Sequence, residues 1–75
     1  MNYRDRISSH PDIMLGKPVI TGTRITVELI IRKLSEGMTL DELLEAYPHL
    51  KREDILSCLA YSADVISREE LIIAT

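Results

Sequence analysis

"MTLDELLEAYPHLKREDI", Met38 to Ile55, is the stretch whose reading decides the fold. Thr39 and Glu42 stand three apart ahead of an apolar run. That is the spacing of a capping box, in which each side chain takes up a backbone N–H at a helix start. Met38 and Leu43 occupy the positions of a hydrophobic staple across the same start. Leu40, Leu43, Leu44 and Tyr47 recur at helical spacing, and Pro48 halts the run. A further helix begins near Lys51-Arg52-Glu53-Asp54-Ile55, after a turn of only Pro48, His49 and Leu50. Two helices joined by so short a turn form a helix-turn-helix unit.

Downstream, Ile55, Leu56, Leu59, Ala60 and Ala63 make a wide apolar face, expected to be buried on more than one side. Glu53 and Asp54 suit the positive end of this helix, whereas Lys51 and Arg52 stand against it. Such a local conflict can mark function. Upstream, Val27, Ile30, Ile31 and Leu34 fall at i, i+3, i+4 and i+7, with Thr26 placed to cap the start and Gly37 to supply a left-handed stop. The chain therefore reads as one mainly α domain over residues 1–75. Residues 1–26 are a short β arm, residues 27–63 a three-helix core of helix-turn-helix type, and residues 64–75 a tail. Leu71, Ile72 and Ile73 in that tail need cover. They extend the third helix, pair as an edge strand, or anchor a partner.

The arm contains "LGKPVITGTRITV", Leu15 to Val27. As a phosphate loop it fails. Gly16 and Gly22 are six apart, Thr23-Arg24 stands where Lys-Ser/Thr is required, and Pro18 removes one backbone N–H. As turn chemistry it succeeds. Gly16 permits a sharp entry, Pro18 fixes φ and extends Lys17, and Thr21-Gly22 reverses the chain between Val19-Ile20 and Arg24-Ile25-Thr26. Gly16, Pro18, Gly22 and Thr23 are thus structural residues. His10 falls in a segment expected to be flexible.

Charge is divided unevenly. Residues 1–33 carry six basic and three acidic groups (+3), and residues 34–75 three basic and nine acidic (−6), which together give the net −3. Such polarity suits one basic and one acidic partner surface. Lys17, Arg24, Arg32, Lys33, Lys51 and Arg52 are the candidate phosphate contacts. Arg24 has two readings, a dimer anchor or a phosphate contact. Cys58 is the sole cysteine and reads as a small core residue in a reducing cytoplasm; it forms no metal or cofactor set with His10 and His49. No run reaches the roughly 18 apolar residues of a membrane span. Neither histidine has a nucleophile nearby, so no catalytic residue is assigned and an enzyme is not expected. A domain this small often leans on a second subunit.

The runs "GKPVITGTRITV", "LSEGMTLDELLEAYPHL" and "EDILSCLAYSAD" resemble the domain-of-unknown-function 433 family, over roughly Ile7 to Ala63. The resemblance implies a homeodomain-like, winged-helix-related tri-helical fold with a short β arm, paired as a homodimer. It also implies an antitoxin of a type II toxin–antitoxin system that silences a PIN-like nuclease and binds its own operator DNA. The residues carried over are Gly16, Lys17, Pro18, Gly22, Thr23 and Arg24. The alternatives are a stand-alone DNA-binding regulator and a structural or adaptor dimer. Leu15 replaces a glycine common in the family, which implies a tighter or better packed turn. Lys51 replaces a Thr or Ser cap, a loss on the order of 1 kcal/mol.

Overall fold

Each helix start predicted from capping chemistry forms in the computed structural model, which describes residues 3–68. Helix α1 spans Val27–Ser35, and Thr26 Oγ1 accepts from the Leu29 N–H at 3.0 Å. Its end is a Schellman motif: Gly37, at φ +98°, donates to Leu34, and Met38 donates to Lys33, both at 3.0 Å. Helix α2 spans Leu40–Ala46 and carries the complete capping box, with Glu42 N–H on Thr39 Oγ1 at 3.1 Å and Thr39 N–H on Glu42 Oε1 at 3.0 Å. These bonds hold the Glu42 carboxyl below the ordinary carboxylate range. Helix α3 spans Arg52–Ser67. Residues 64–67, assigned to the tail from the sequence, continue this helix, while Leu71, Ile72 and Ile73, for which three fates were open, lie outside the described residues.

The side chains facing inward are those the stripes of α1 and α2 name. Ile20, Val27, Ile30, Leu43, Leu50, Ile55 and Cys58 form the core, and Ile31, Leu34, Met38, Leu40, Leu44, Tyr47 and Tyr61 pack around it. Cys58 is fully buried; desolvation first, and the charge of Asp54 second, push its thiol up to about 12, which suits an inert core residue.

Three expectations are corrected. The arm is built differently from a simple 19–26 hairpin. Strand β2, Val19–Ile20, pairs antiparallel with β1, Ile7–Ser8, in the register Ile7–Ile20 and Ser8–Val19. The Arg24–Thr26 piece adds only the bridge Val19–Thr26 and the bond from Ile20 N–H to Ile25 O at 2.9 Å. Val19 and Ile20 thus lie between two extended neighbours, and both are buried. Two residues beside Arg6 and Ser9 gave too short a β-prone run to announce β1 in the sequence. The reversal itself is as expected. Gly22 takes φ +83°, and Thr23 Oγ1 donates to Ile20 O at 2.8 Å while accepting from Ile25 N–H at 3.0 Å.

Leu15 does not pack its turn better than a glycine would. It is 93% exposed and takes φ +59°, between Met14 at +49° and Gly16 at +81°. A side chain in the left-handed region costs roughly 1–2 kcal/mol, and the added chain entropy of a glycine offsets about 0.5–1 of that. Leu15→Gly is therefore expected to stabilise the fold by about 0.5–1 kcal/mol, read as a raised midpoint of thermal unfolding.

The third correction concerns α3. Its core face is Asp54, Ile55, Ser57 and Cys58, flanked by Tyr61. Of the predicted face only Ile55 is buried; Leu59 is 42% exposed, Ala63 is exposed, and Leu56 and Ala60 are half-covered. The helix is apolar around most of its circumference, so composition could not reveal which side the other helices would take.

At the start of α3, Lys51 is the N-cap residue and its side chain accepts no hydrogen bond. Asp54 supplies the other half of a capping box, its Oδ2 accepting from the Lys51 N–H at 2.9 Å. Lys51→Thr restores the missing acceptor and is expected to add about 1 kcal/mol, measured by urea unfolding.

Candidate functional site

Two concave surfaces lie at different sides of the helical core. The first is a groove of about 560 Å³ between α1 and α3, floored by Pro18, Val27, Ile31, Tyr61, Val65 and Ile66. It follows from helix packing: α1 buries Val27 and Ile30, which leaves Ile31 on the edge, while α3 outruns α1 and presents Val65 at 39% and Ile66 at 59% exposure. One lip is charged. Glu28 receives Lys17 Nζ at 2.8 Å and Arg32 Nη2 at 3.2 Å. Hydrogen bonds from Lys17, then Arg32, hold the Glu28 carboxyl below its usual range. Pro18 extends the chain at Lys17 towards α1, and the Val27 N–H donates to Pro18 O at 2.9 Å, which fixes the arm on the helix start.

The second surface is a polar cleft of about 270 Å³ lined by Asp5, Arg6, Thr21, Thr23, His49, Lys51 and Asp54, with Ile20 beneath. Its organising contact is Arg6 Nη1 to Asp54 Oδ1 at 3.0 Å. Asp54 is 7% exposed and also accepts from Lys51, so one buried carboxylate ties the N-terminal segment to the start of α3. Sequence reasoning saw Asp54 only as a helix-dipole partner. Its i, i+3 relation to an unusual Lys cap was the available signal; Arg6, 48 positions away, offered none.

Of the six candidate cations, Lys17 and Arg32 line the groove, Lys51 lines the cleft, and Arg24, Lys33 and Arg52 line neither. Lys17 and Arg32 meet at Glu28 beside the groove, and Lys33 stands 4.0 Å from Glu36. Lys51 lines the cleft together with the Thr21–Thr23 turn, so the arm and the helix-turn-helix turn converge there. Arg24 and Arg52 are exposed. Leu71, Ile72 and Ile73 lie outside the described residues. His10 and His49 are both exposed, and His10 Nδ1 accepts from the Asp12 N–H at 3.2 Å. No group of three or more metal-ligating side chains occurs among the described residues, and none of their helices is long and apolar enough to cross a membrane.

A three-helix core with an arm laid across α1 and α3 is shared with known proteins. The model of the family described as "Protein of unknown function (DUF433)" matches residues 7–62, from β1 to the last third of α3. The chain belongs to the DUF433 family. A crystal structure of a DUF433 member from Anabaena variabilis ATCC 29413 superposes with a TM-score of 0.81 at 28% identity, covering 87% of this chain and 64% of that one. The uncharacterized protein y4eO of Sinorhizobium fredii (strain NBRC 101917 / NGR234) is 36% identical over 59 residues, 79% of this chain. The match spans only 27% of that relative's length. The DUF433 match contains every arm residue named from the sequence, Gly16, Lys17, Pro18, Gly22, Thr23 and Arg24, and all three helix starts.

Proposed function

We propose that this DUF433 protein is an antitoxin-like regulator that holds a PIN-like nuclease through the α1–α3 groove. The observation that carries this reading is the groove itself: an aliphatic floor of Val27 and Ile31 beside Val65 and Ile66, which stay exposed at 39% and 59% and offer an anchor for a partner's side chains. Charge supports the choice of partner. Asp41, Glu42 and Glu45 are exposed along α2, and a nuclease presents cations where it binds its phosphate substrate. These carboxylates lie outside the groove lining and would form a second contact on such a surface.

Co-expression with the product of the adjacent gene tests it. The neighbour is expected to be toxic alone and harmless in a stable complex, and Val65→Glu is expected to weaken that complex with the fold retained. A harmless neighbour that co-purifies with neither form would overturn the reading.

A second reading, binding to operator DNA, draws on the cleft where the Thr21–Thr23 turn meets Lys51. Here the contacts would be to phosphates. The outward side of α3 carries Leu56, Leu59, Ala60 and Ala63, whereas base edges are read mainly by polar side chains. Gel shifts on the upstream region, lost in Lys51→Ala with Arg52→Ala, test this; no shift even at low salt rejects it.

A further inference from the structure

The shape and charge of the α1–α3 groove select what can lie in it. Val27, Ile31 and Ser35 follow one another at i, i+4 and i+8 and form one row along its α1 wall. Glu28 and Arg32, each one residue further on, form the adjacent row and make the lip. From Val27 to Ser35 the wall is about 12 Å long, a little over two helical turns. The facing wall on α3, made by Tyr61, Ser62, Val65 and Ile66, carries no charge. On the α1 side Lys17 and Arg32 meet the single carboxylate of Glu28, two cations to one anion, so the lip keeps a net charge of +1.

Backbone chemistry argues against an extended occupant. Both walls are helices, whose N–H and C=O groups bond along their own axes. The extended piece at the groove is Lys17-Pro18. Its Lys17 N–H donates to Met14 O at 3.1 Å, and Pro18 O accepts from the Val27 N–H at 2.9 Å. Pro18 itself has no N–H. No donor is left there for an incoming strand, so a peptide stretched over the apolar floor would bury unpaired backbone groups. A helix satisfies its own.

We propose that the groove takes an amphipathic helix of the partner protein, with aliphatic side chains at i, i+4 and i+7 on the floor and a carboxylate against the lip. This rests on the groove being the partner-binding surface and states which element of the partner enters it. Three such anchors span about 10 Å, which matches the wall. Lys17 and Arg32 are 52% and 71% exposed at their side chains, so both present donors beyond those that Glu28 holds. The carboxylate makes a charge-assisted bond at the rim and sets which face of the helix turns down. The lip thus favours an acid, whereas the carboxylates of α2 favour a base, and the two contacts read different parts of the partner.

Fluorescence anisotropy with labelled model peptides tests it. The probes are alanine-rich helices of about fifteen residues with leucine at i, i+4 and i+7. One carries glutamate beside the leucines and a second carries lysine at the same places. A third has the glutamate composition with a central proline that breaks the helix. The glutamate helix is expected to bind, the lysine helix about fivefold more weakly and the proline peptide roughly tenfold more weakly. Arg32→Glu turns the lip charge from +1 to −1 and is expected to reverse the order of the first two. Val65→Glu is expected to weaken both by about tenfold or more with helical circular dichroism retained, since Val65 lies outside the core cluster. A proline peptide that binds like the glutamate helix overturns the proposal. So does an order of affinities that Arg32→Glu leaves unchanged, or no binding of either helix at several hundred micromolar. A groove closed by self-association, seen as a doubled mass that Val65→Glu halves, overturns it as well. The nuclease reading has its own test in co-expression: a neighbour that forms no complex strikes that partner, while the peptides decide the helix.

Discussion

Asp54→Ala is expected to destabilise the protein by about 3 kcal/mol, far beyond the effect of an ordinary surface carboxylate. Two groups lose their acceptor at once. Arg6 Nη1 is left without its 3.0 Å partner, and the Lys51 N–H is left unpaired beneath the start of α3. Arg6 is 37% exposed at its side chain and recovers part of its hydration, so most of the loss comes from the helix start and the buried contact. Arg6→Ala acts from the other end: it strands a carboxylate whose side chain is 10% exposed, with only one N–H to satisfy it. The single losses should not add. Urea unfolding of both single variants and the double gives the coupling directly. A coupling below about 0.5 kcal/mol would mean that the pair contributes no more than an exposed ion pair.

The other large effect is expected at Leu43→Ala, a loss of about 3–5 kcal/mol. Leu43 is the sole buried residue described for α2, a helix of seven residues. A helix that short has no stability of its own in water, so it exists because Leu43 holds it against Ile30 and Ile55 in the core. Truncation leaves a cavity and also unfastens the first helix of the helix-turn-helix unit. For a domain of this size total stability is roughly 4–11 kcal/mol. The variant should therefore sit near its unfolding midpoint at 37 °C, seen by circular dichroism as lost helix content. A cooperative wild-type-like transition would show that the capping box and staple alone support α2.

The two predictions mark a boundary in what was legible. Most local chemistry was readable, with the Lys51–Asp54 bond at the start of α3 and the left-handed turn at Leu15 as exceptions. Thr26, Thr39 with Glu42, and Gly37 each act on backbone groups within four residues, so their roles depend on nothing distant. The stripes of α1 and α2 were readable because each helix is apolar on one side only. Gly22 and Thr23 announced their turn for the same local reason.

What failed was long-range. The seven letters before Ser8 gave no sign that Ile7 would pair with Ile20, because a two-residue strand has no periodicity to detect. The Arg6–Asp54 pair joins positions 48 apart, and sequence shows both residues without showing that they meet. Leu15 was misread because its side chain suggested packing, while its backbone, at φ +59°, was set by the turn that Met14 and Gly16 share with it. In α3 the spacing was seen but the side was not. A helix apolar on two faces has no preferred inward direction until α1, α2 and the arm compete for it.

Sequence by itself determined three helices, their caps, their order and the arm's turn, since each rests on contacts between near neighbours. It also placed a polarised charge distribution on the chain. Only the tertiary structure decided which face of α3 the core would claim, that Asp54 would be buried against Arg6, and that Lys17 and Arg32 would share Glu28 on the lip of an open groove. Those outcomes depend on how elements far apart in the chain fill the same space, and packing is settled by the whole fold at once.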